Sequence, residues 1–103
     1  MHASIDETHL SRLAELFRLL GDPTRLRIVV ACLSGPIAVG DLAAALALAP
    51  TLVSHHLRWL RAARLVKFER RGRHVLYSAA DRHVSDMLAD MLDHVAEPAA
   101  EIE

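Results

Sequence analysis

Between Leu65 and Ser78 the spacing of apolar residues changes period, and that change constrains the fold more than any other feature of the chain. Upstream, apolar residues recur every three or four positions, the repeat of a helix with one buried face. Across the change, Leu65 to Arg70 and His74 to Ser78 carry β-branched and aromatic residues in partial alternation, with Arg71-Gly72-Arg73 between them as a hairpin turn. Downstream, Val84, Met87, Leu88, Met91, Leu92 and Val95 step by three and four again, which predicts a last helix from Asp81 to about Glu97. The chain reads as mainly α with a small β-hairpin.

Four helices are predicted before the hairpin. Leu10, Leu13, Leu16, Phe17 and Leu20 place the first over 8–20, and Gly21 ends it. Asp22 followed by Pro23 is a start signal, a capping side chain and then a proline where its missing N–H costs nothing. The second helix runs to about Leu33, before Ser34-Gly35-Pro36. Val39 to Leu48 predicts a short third helix with Leu42, Ala45 and Leu46 on one face. After Ala49-Pro50, a fourth runs from Thr51 to Ala63 with Leu52, Val53, Leu57 and Leu60 inward, which leaves Thr51, Ser54, His55, Arg58 and Arg61 outside. Two short helices over 39–63, the second with a polar, basic face, suggest a helix-turn-helix. A basic hairpin over 65–78 directly after it gives the order of a winged helix. With 103 residues there is room for one domain, residues 1–103, and the tail from Pro98 is expected to fray.

A net charge of -1 speaks against a nucleic-acid binder until it is resolved along the chain. Residues 55–74 hold Arg58, Arg61, Arg64, Lys67, Arg70, Arg71 and Arg73 against Glu69 alone, a net of +6. Residues 81–103 hold Arg82 against Asp81, Asp86, Asp90, Asp93, Glu97, Glu101 and Glu103, a net of -6. The basic block coincides with the outward helix and the hairpin, where a duplex-binding protein needs cations to displace phosphate counterions. Double-stranded DNA is therefore the expected partner, with Arg70, Arg71 and Arg73 of the wing joining the helix in contacting it. The one cysteine, Cys32, excludes an intramolecular disulfide framework and a cysteine-rich zinc ribbon, and is expected to be a small buried residue. Met1 to Leu10 does not read as a signal peptide, and the longest apolar stretch, Leu42 to Val53, is broken by Pro50 and too short to span a bilayer. A cytoplasmic setting with no membrane partner is expected.

The last helix also carries ligand-competent side chains at both ends: Asp81 and His83 at its start, His94 and Glu97 at its finish. The histidines stand eleven residues apart, close to three turns, so they share a face but lie roughly 16 Å apart along the axis. No single ion spans that distance. Two copies of the helix packed antiparallel across a twofold axis bring the first pair of one against the second pair of the other, giving two equivalent four-ligand sites. Two imidazoles and two carboxylates suit Zn(II), with Co(II) a close mimic. A closed site of that kind has no open position, base or pocket, which argues against an enzyme.

These residues together resemble the ArsR/SmtB family of metal-responsive repressors over nearly the whole chain. The resemblance is carried by Leu20-Gly21-Asp22-Pro23-Thr24-Arg25-Leu26-Arg27-Ile28, by Val53-Ser54-His55-His56-Leu57-Arg58-Trp59-Leu60, by Arg71-Gly72-Arg73-His74-Val75-Leu76-Tyr77, and by the four ligands of the last helix. It implies a homodimer, joined through the helices at 8–20 and 81–97, that represses metal efflux or sequestration genes and leaves its operator when a divalent metal binds. It implies DNA contacts at Thr51, Ser54 and His55, with Arg58 on the same face, and a metal site of Asp81, His83, His94 and Glu97 typical of the zinc-responsive branch. It further implies a hydrogen-bonded link from His94 towards backbone near Arg64. Two patterns depart from it: Val39-Gly40-Asp41-Leu42 stands where another branch has cysteines, and Cys32 has no partner cysteine in the chain. The alternatives are a Ni(II) or Co(II) sensor that adds His2 or His9 as ligands, or a DNA-binding repressor without metal sensing.

Overall fold

The structure is a computed structural model that describes residues 5–99. Its elements are α1 (Glu7–Leu20), α2 (Pro23–Ala31), a 3-10 turn (Cys32–Ser34), β1 (Ile37–Ala38), α3 (Val39–Leu46), α4 (Pro50–Ala62), β2 (Val66–Arg71), β3 (His74–Ala79) and α5 (Arg82–Ala96). Among the described residues no helix is long and apolar enough to cross a membrane.

Side-chain caps start three of the helices. Asp6 accepts from the Thr8 N–H at 2.8 Å, Asp22 from the Arg25 N–H at 2.9 Å and Asp81 from the Val84 N–H at 3.0 Å, each satisfying a first-turn amide that has no partner inside its helix. Helix ends are made differently. Ala47, at φ 56°, closes α3, with the Leu48 N–H reaching the Ala43 carbonyl and the Ala47 N–H reaching that of Ala44. Arg64, at φ 61°, closes α4 in the same way, with Leu65 bonded to Leu60 and Arg64 to Arg61. Both positions demand the left-handed conformation that glycine adopts without cost.

Three elements differ from the sequence reading. α3 ends at Leu46, where Ala47 turns left-handed, rather than at Leu48. The second helix stops at Ala31 and tightens into the 3-10 turn rather than continuing to Leu33. A third strand exists: the two-residue β1 pairs with β3, Ile37 opposite Tyr77 and Ala38 opposite Leu76, so the sheet order is β1-β3-β2. Two residues are too few for alternation to register, so only tertiary pairing reveals this strand. In the hairpin, Arg71 faces His74, and Gly72 at φ 61° supplies the positive φ that a two-residue turn needs at its first position.

The core gathers one stripe from every helix: Leu19 and Leu20 of α1, Ile28 and Val29 of α2, Leu42 and Ala43 of α3, Val53, Leu57 and Leu60 of α4, and Leu88 of α5, with Cys32, Leu65 and Val66. Each fully buried leucine there is worth about 1.5–3 kcal/mol relative to exposure. Ala43 rather than Ala45 is the inward alanine of α3, and Leu52 points outward, 41% exposed. α5 divides its apolar stripe. Val84, Met87 and Leu88 pack on the core, whereas Met91, Leu92 and Val95 are bare, as are Leu10, Leu13 and Phe17 of α1.

Asp22 fixes where α2 begins and thereby how α1 meets it. Hydrogen bonding from the Arg25 amide, followed by the nearby Arg25 and His56 charges, holds its carboxyl below the usual carboxylate range. A carboxyl with a lowered folded value stabilises fully above its ordinary pKa near 3.8 and loses that contribution as pH falls through the folded value. Asp22→Ala is therefore expected to lower the urea midpoint at pH 7, with the gap to the unaltered protein closing as the unfolding series is taken below pH 4; a gap that stays constant with pH contradicts this role.

Candidate nucleic-acid interface and metal half-sites

Full burial of Val53, Leu57 and Leu60 fixes the rotation of α4 about its own axis. Thr51, Ser54, His55 and Arg58 consequently all stand exposed on its outer side. Ala49 caps α4 without a side-chain hydrogen bond and Pro50 opens it, so the first-turn amides at this end face outward unclaimed by any cap. The wing follows directly on β2 and β3, with Arg70, Arg71 and Arg73 exposed at its tip and Arg71 paired with Glu69 at 3.1 Å. The helix face and the wing tip are thus both exposed and basic.

Trp59, 57% exposed, is a member of the helix face that the sequence reading passed over. It stands one turn beyond His55, and the two rings meet edge to face with centroids 6.5 Å apart. The signal was present in the spacing, since position 59 follows 51 and 55 at helical steps, but a tryptophan is ordinarily counted with the core. Arg61 was placed outside correctly, yet its guanidinium carbon lies 4.1 Å from the centroid of Phe68 in β2, a contact between elements that no periodicity discloses.

The four proposed metal ligands occupy the two ends of α5. Asp81 is its N-cap and spends one carboxylate oxygen on the Val84 amide, leaving the other without a hydrogen bond among the described residues. His83 is exposed in the first turn and His94 in the last. Glu97 lies just outside the helix, which ends at Ala96, and its N–H closes on the Asp93 and His94 carbonyls. Each end therefore pairs an acidic residue at the cap position with a histidine inside the helix. Among the described residues, no three His, Cys, Asp or Glu side chains of one chain gather into a metal site.

Asp81 and His83 also line a cleft of about 370 Å³ with Ala62, Ala63 and Arg64, where α4 ends, and with Arg12 and Glu15 of α1. The side chains beside Arg64 in this cleft come from the start of α5; His94 lies about 16 Å further along the helix axis. Within one chain, then, the Asp81–His83 pair borders the end of α4 and the His94–Glu97 pair does not. Glu15 is claimed by Arg18, whose hydrogen bond holds its carboxyl below the ordinary range. His9 is exposed on the first turn of α1, 3.6 Å from Asp6, and His2 lies outside the described residues.

A basic helix seated as the second of a helix-turn-helix, followed by a basic hairpin, defines a winged helix-turn-helix DNA-binding regulator. Residues 22–67 match the model of the bacterial regulatory protein, arsR family. The chain is 45% identical over 94 residues to the transcriptional repressor SmtB homolog of Synechocystis, an alignment covering 91% of this chain and 70% of that protein. The cadmium metal-sensor CMTR of Mycobacterium tuberculosis superposes with a TM-score of 0.70 at 40% identity, covering 87% of this chain and 99% of the other. A homodimeric winged helix-turn-helix DNA-binding domain from Mycobacterium bovis superposes with a TM-score of 0.79 at 28% identity, covering 93% and 90%. The chain belongs to the ArsR family. These relatives are regulators of transcription, a class of DNA-binding proteins without enzymatic activity.

Cys32 takes no part in either surface. It is 1% exposed, and burial pushes its thiol up to about 11, so little of it is present as the reactive thiolate at neutral pH. Its modification by a water-soluble disulfide reagent at pH 7 should proceed only at the rate of global unfolding; fast labelling of the folded protein contradicts the packing described.

Proposed function

We propose that this regulator binds operator DNA as a metal-free homodimer and releases it on binding Zn(II), with Co(II) as a mimic, so that metal efflux or sequestration genes are expressed. The observation that carries this reading is the division of α5 into two half-sites, too far apart to serve one ion, on a helix whose second half is apolar and bare. A second copy supplies what one copy lacks. Antiparallel pairing of α5 would cover Met91, Leu92 and Val95 and bring Asp81 and His83 of one copy to His94 and Glu97 of the other. The bare face of α1 supports the same pairing, as does the flattened outline of the chain, 53 × 37 × 20 Å.

Donor chemistry selects among the metals. The relative described as a cadmium sensor suggests a soft ion, but two imidazoles and two carboxylates with the only thiol buried favour Zn(II) over Cd(II). A bound ion would tie the ends of the paired α5 helices together. The start of α5 borders the end of α4 at Arg64, so a change in how the two copies sit is passed to the recognition helix through packed residues. A dimer whose recognition helices are wrongly spaced loses contacts at both half-sites of the operator, those of Thr51, Ser54, His55 and Arg58 and those of the wing arginines 70, 71 and 73.

Stoichiometric Zn(II) is expected to weaken operator binding by about 1–3 kcal/mol, or roughly 5- to 150-fold, in a titration of the purified dimer. His94→Ala should bind the operator as tightly as the unaltered protein and lose that response. A variant that still responds places the site elsewhere, and a dimer that takes up no Zn(II) against a chelator leaves a DNA-binding repressor without metal sensing. Co(II) should give the intense absorption of a four-coordinate site; a weak six-coordinate spectrum abolished by removing residues 1–9 would assign His2 or His9 as further ligands.

A further inference from the structure

The base of the wing holds a second cluster of cations, beyond the outer residues Thr51, Ser54, His55 and Arg58 of α4 and adjoining the first metal half-site at Asp81. Arg61, Arg64 and Lys67 line a cleft of about 400 Å³ between the end of α4 and β2, with Phe68 on its wall and Asp81 at its edge. None of the three cations forms an ion pair among the described residues, as is true of most of the chain's arginines, so what marks them is that they share one cleft. Asp81, the one carboxylate of the lining, gives an oxygen to the Val84 amide.

The cluster is built rather than merely crowded. The Arg61 guanidinium carbon lies over the Phe68 ring, 4.1 Å from its centroid, and Phe68 is held in turn edge-on to Tyr77 of β3 at 5.8 Å. A guanidinium held against an aromatic ring keeps N–H groups for the oxygens of an anion, the chemistry by which arginine holds phosphate. Arg64 occupies the left-handed position that closes α4, where glycine is unstrained. Strain alone carries nothing, since Ala47 closes α3 in the same conformation. What distinguishes Arg64 is that its side chain joins two other unpaired cations in one cleft. Arg61 follows Ser54 and Arg58 at steps of four and three residues, so the outer stripe of α4 runs into this cleft.

We propose that Arg61, Arg64 and Lys67 clamp a backbone phosphate of the bound duplex at the base of the wing, beyond the contacts of the recognition helix and the wing tip. The clamp rests on the DNA-binding reading of α4. It reads no bases, so it contributes equally on every sequence and lengthens the footprint on the side of the wing. Arg64 exchanges a relaxed helix end for a phosphate contact.

The test is the salt dependence of binding of the full chain to two duplexes of unrelated sequence, for the unaltered protein, Arg61→Ala, Arg64→Gly and, as a control outside both clefts, Arg27→Gln on the exposed side of α2. Loss of one phosphate contact per copy should make the slope of log K against log salt shallower by about two for the dimer, equally on both duplexes, while Arg27→Gln leaves it unchanged. Arg64→Gly carries a second signature: its Tm should rise by on the order of 5 °C while its affinity falls, a combination that a structural role does not produce. Unchanged slopes in both cleft variants overturn the clamp. So does a cleft that binds free inorganic phosphate at constant ionic strength, seen as a rise in Tm abolished by Arg61→Ala, with no change in the duplex slopes. An unaltered protein that binds neither duplex at any salt concentration sinks the underlying DNA reading instead.

Discussion

The buried stripe of α4 is the constraint on which the rest depends. Val53, Leu57 and Leu60 are wholly enclosed by α2, α3 and the residues that follow α4, so the helix cannot turn about its axis without lifting three side chains out of a close-packed core. Truncating any one of the two leucines would cost about 2–5 kcal/mol, a large part of what a domain of this size has to lose. The exposed residues of α4 are therefore held at fixed angles by a core that touches none of them. The same enclosure sets the direction in which the chain leaves α4, through the left-handed Arg64, into the wing.

Charge is distributed to match this arrangement. The basic block spans the exposed side of α4 and the wing, while the acidic block lies on α5 and the residues after it. Their sum is close to zero, yet at ionic strengths where charges screen within about 8–10 Å the two regions act separately. The boundary between them is narrow at one place. Asp81 borders both the Arg61–Arg64–Lys67 cleft and the cleft that holds His83, so the first residue of the acidic block shares two clefts with the end of the basic helix. On the proposed reading this is where effector and DNA surfaces meet.

Most of the architecture was legible because helices longer than two turns must repeat their apolar face. The start of α2 at Asp22-Pro23 and that of α5 at Asp81 lie where capping chemistry alone puts them. What escaped was short or relational. β1 has two residues and exists only through its pairing with β3. Leu52 and Leu60 are the same residue type on the same helix, yet one is exposed and the other buried, because the width of the buried stripe depends on what packs against it. Likewise the apolar run of α5 reads as one face but serves two purposes, its first half on the core and its second half bare.

For the candidate sites the division falls in the same place. The sequence alone determined which residue types are available and at what helical spacing: hydroxyl, imidazole and guanidinium groups along one side of α4, and two pairs of metal-competent ligands at the ends of α5. Spacing along a helix is a local property, and local properties survive in the linear code. Tertiary structure alone decided that Asp81 and His83, rather than His94, border Arg64 within a chain, that Arg61 lies over Phe68, and that three cations of two elements share one cleft. Those are contacts between elements, fixed by the angle at which helix, turn and strand close on a common core, and no periodicity within any one of them contains that angle.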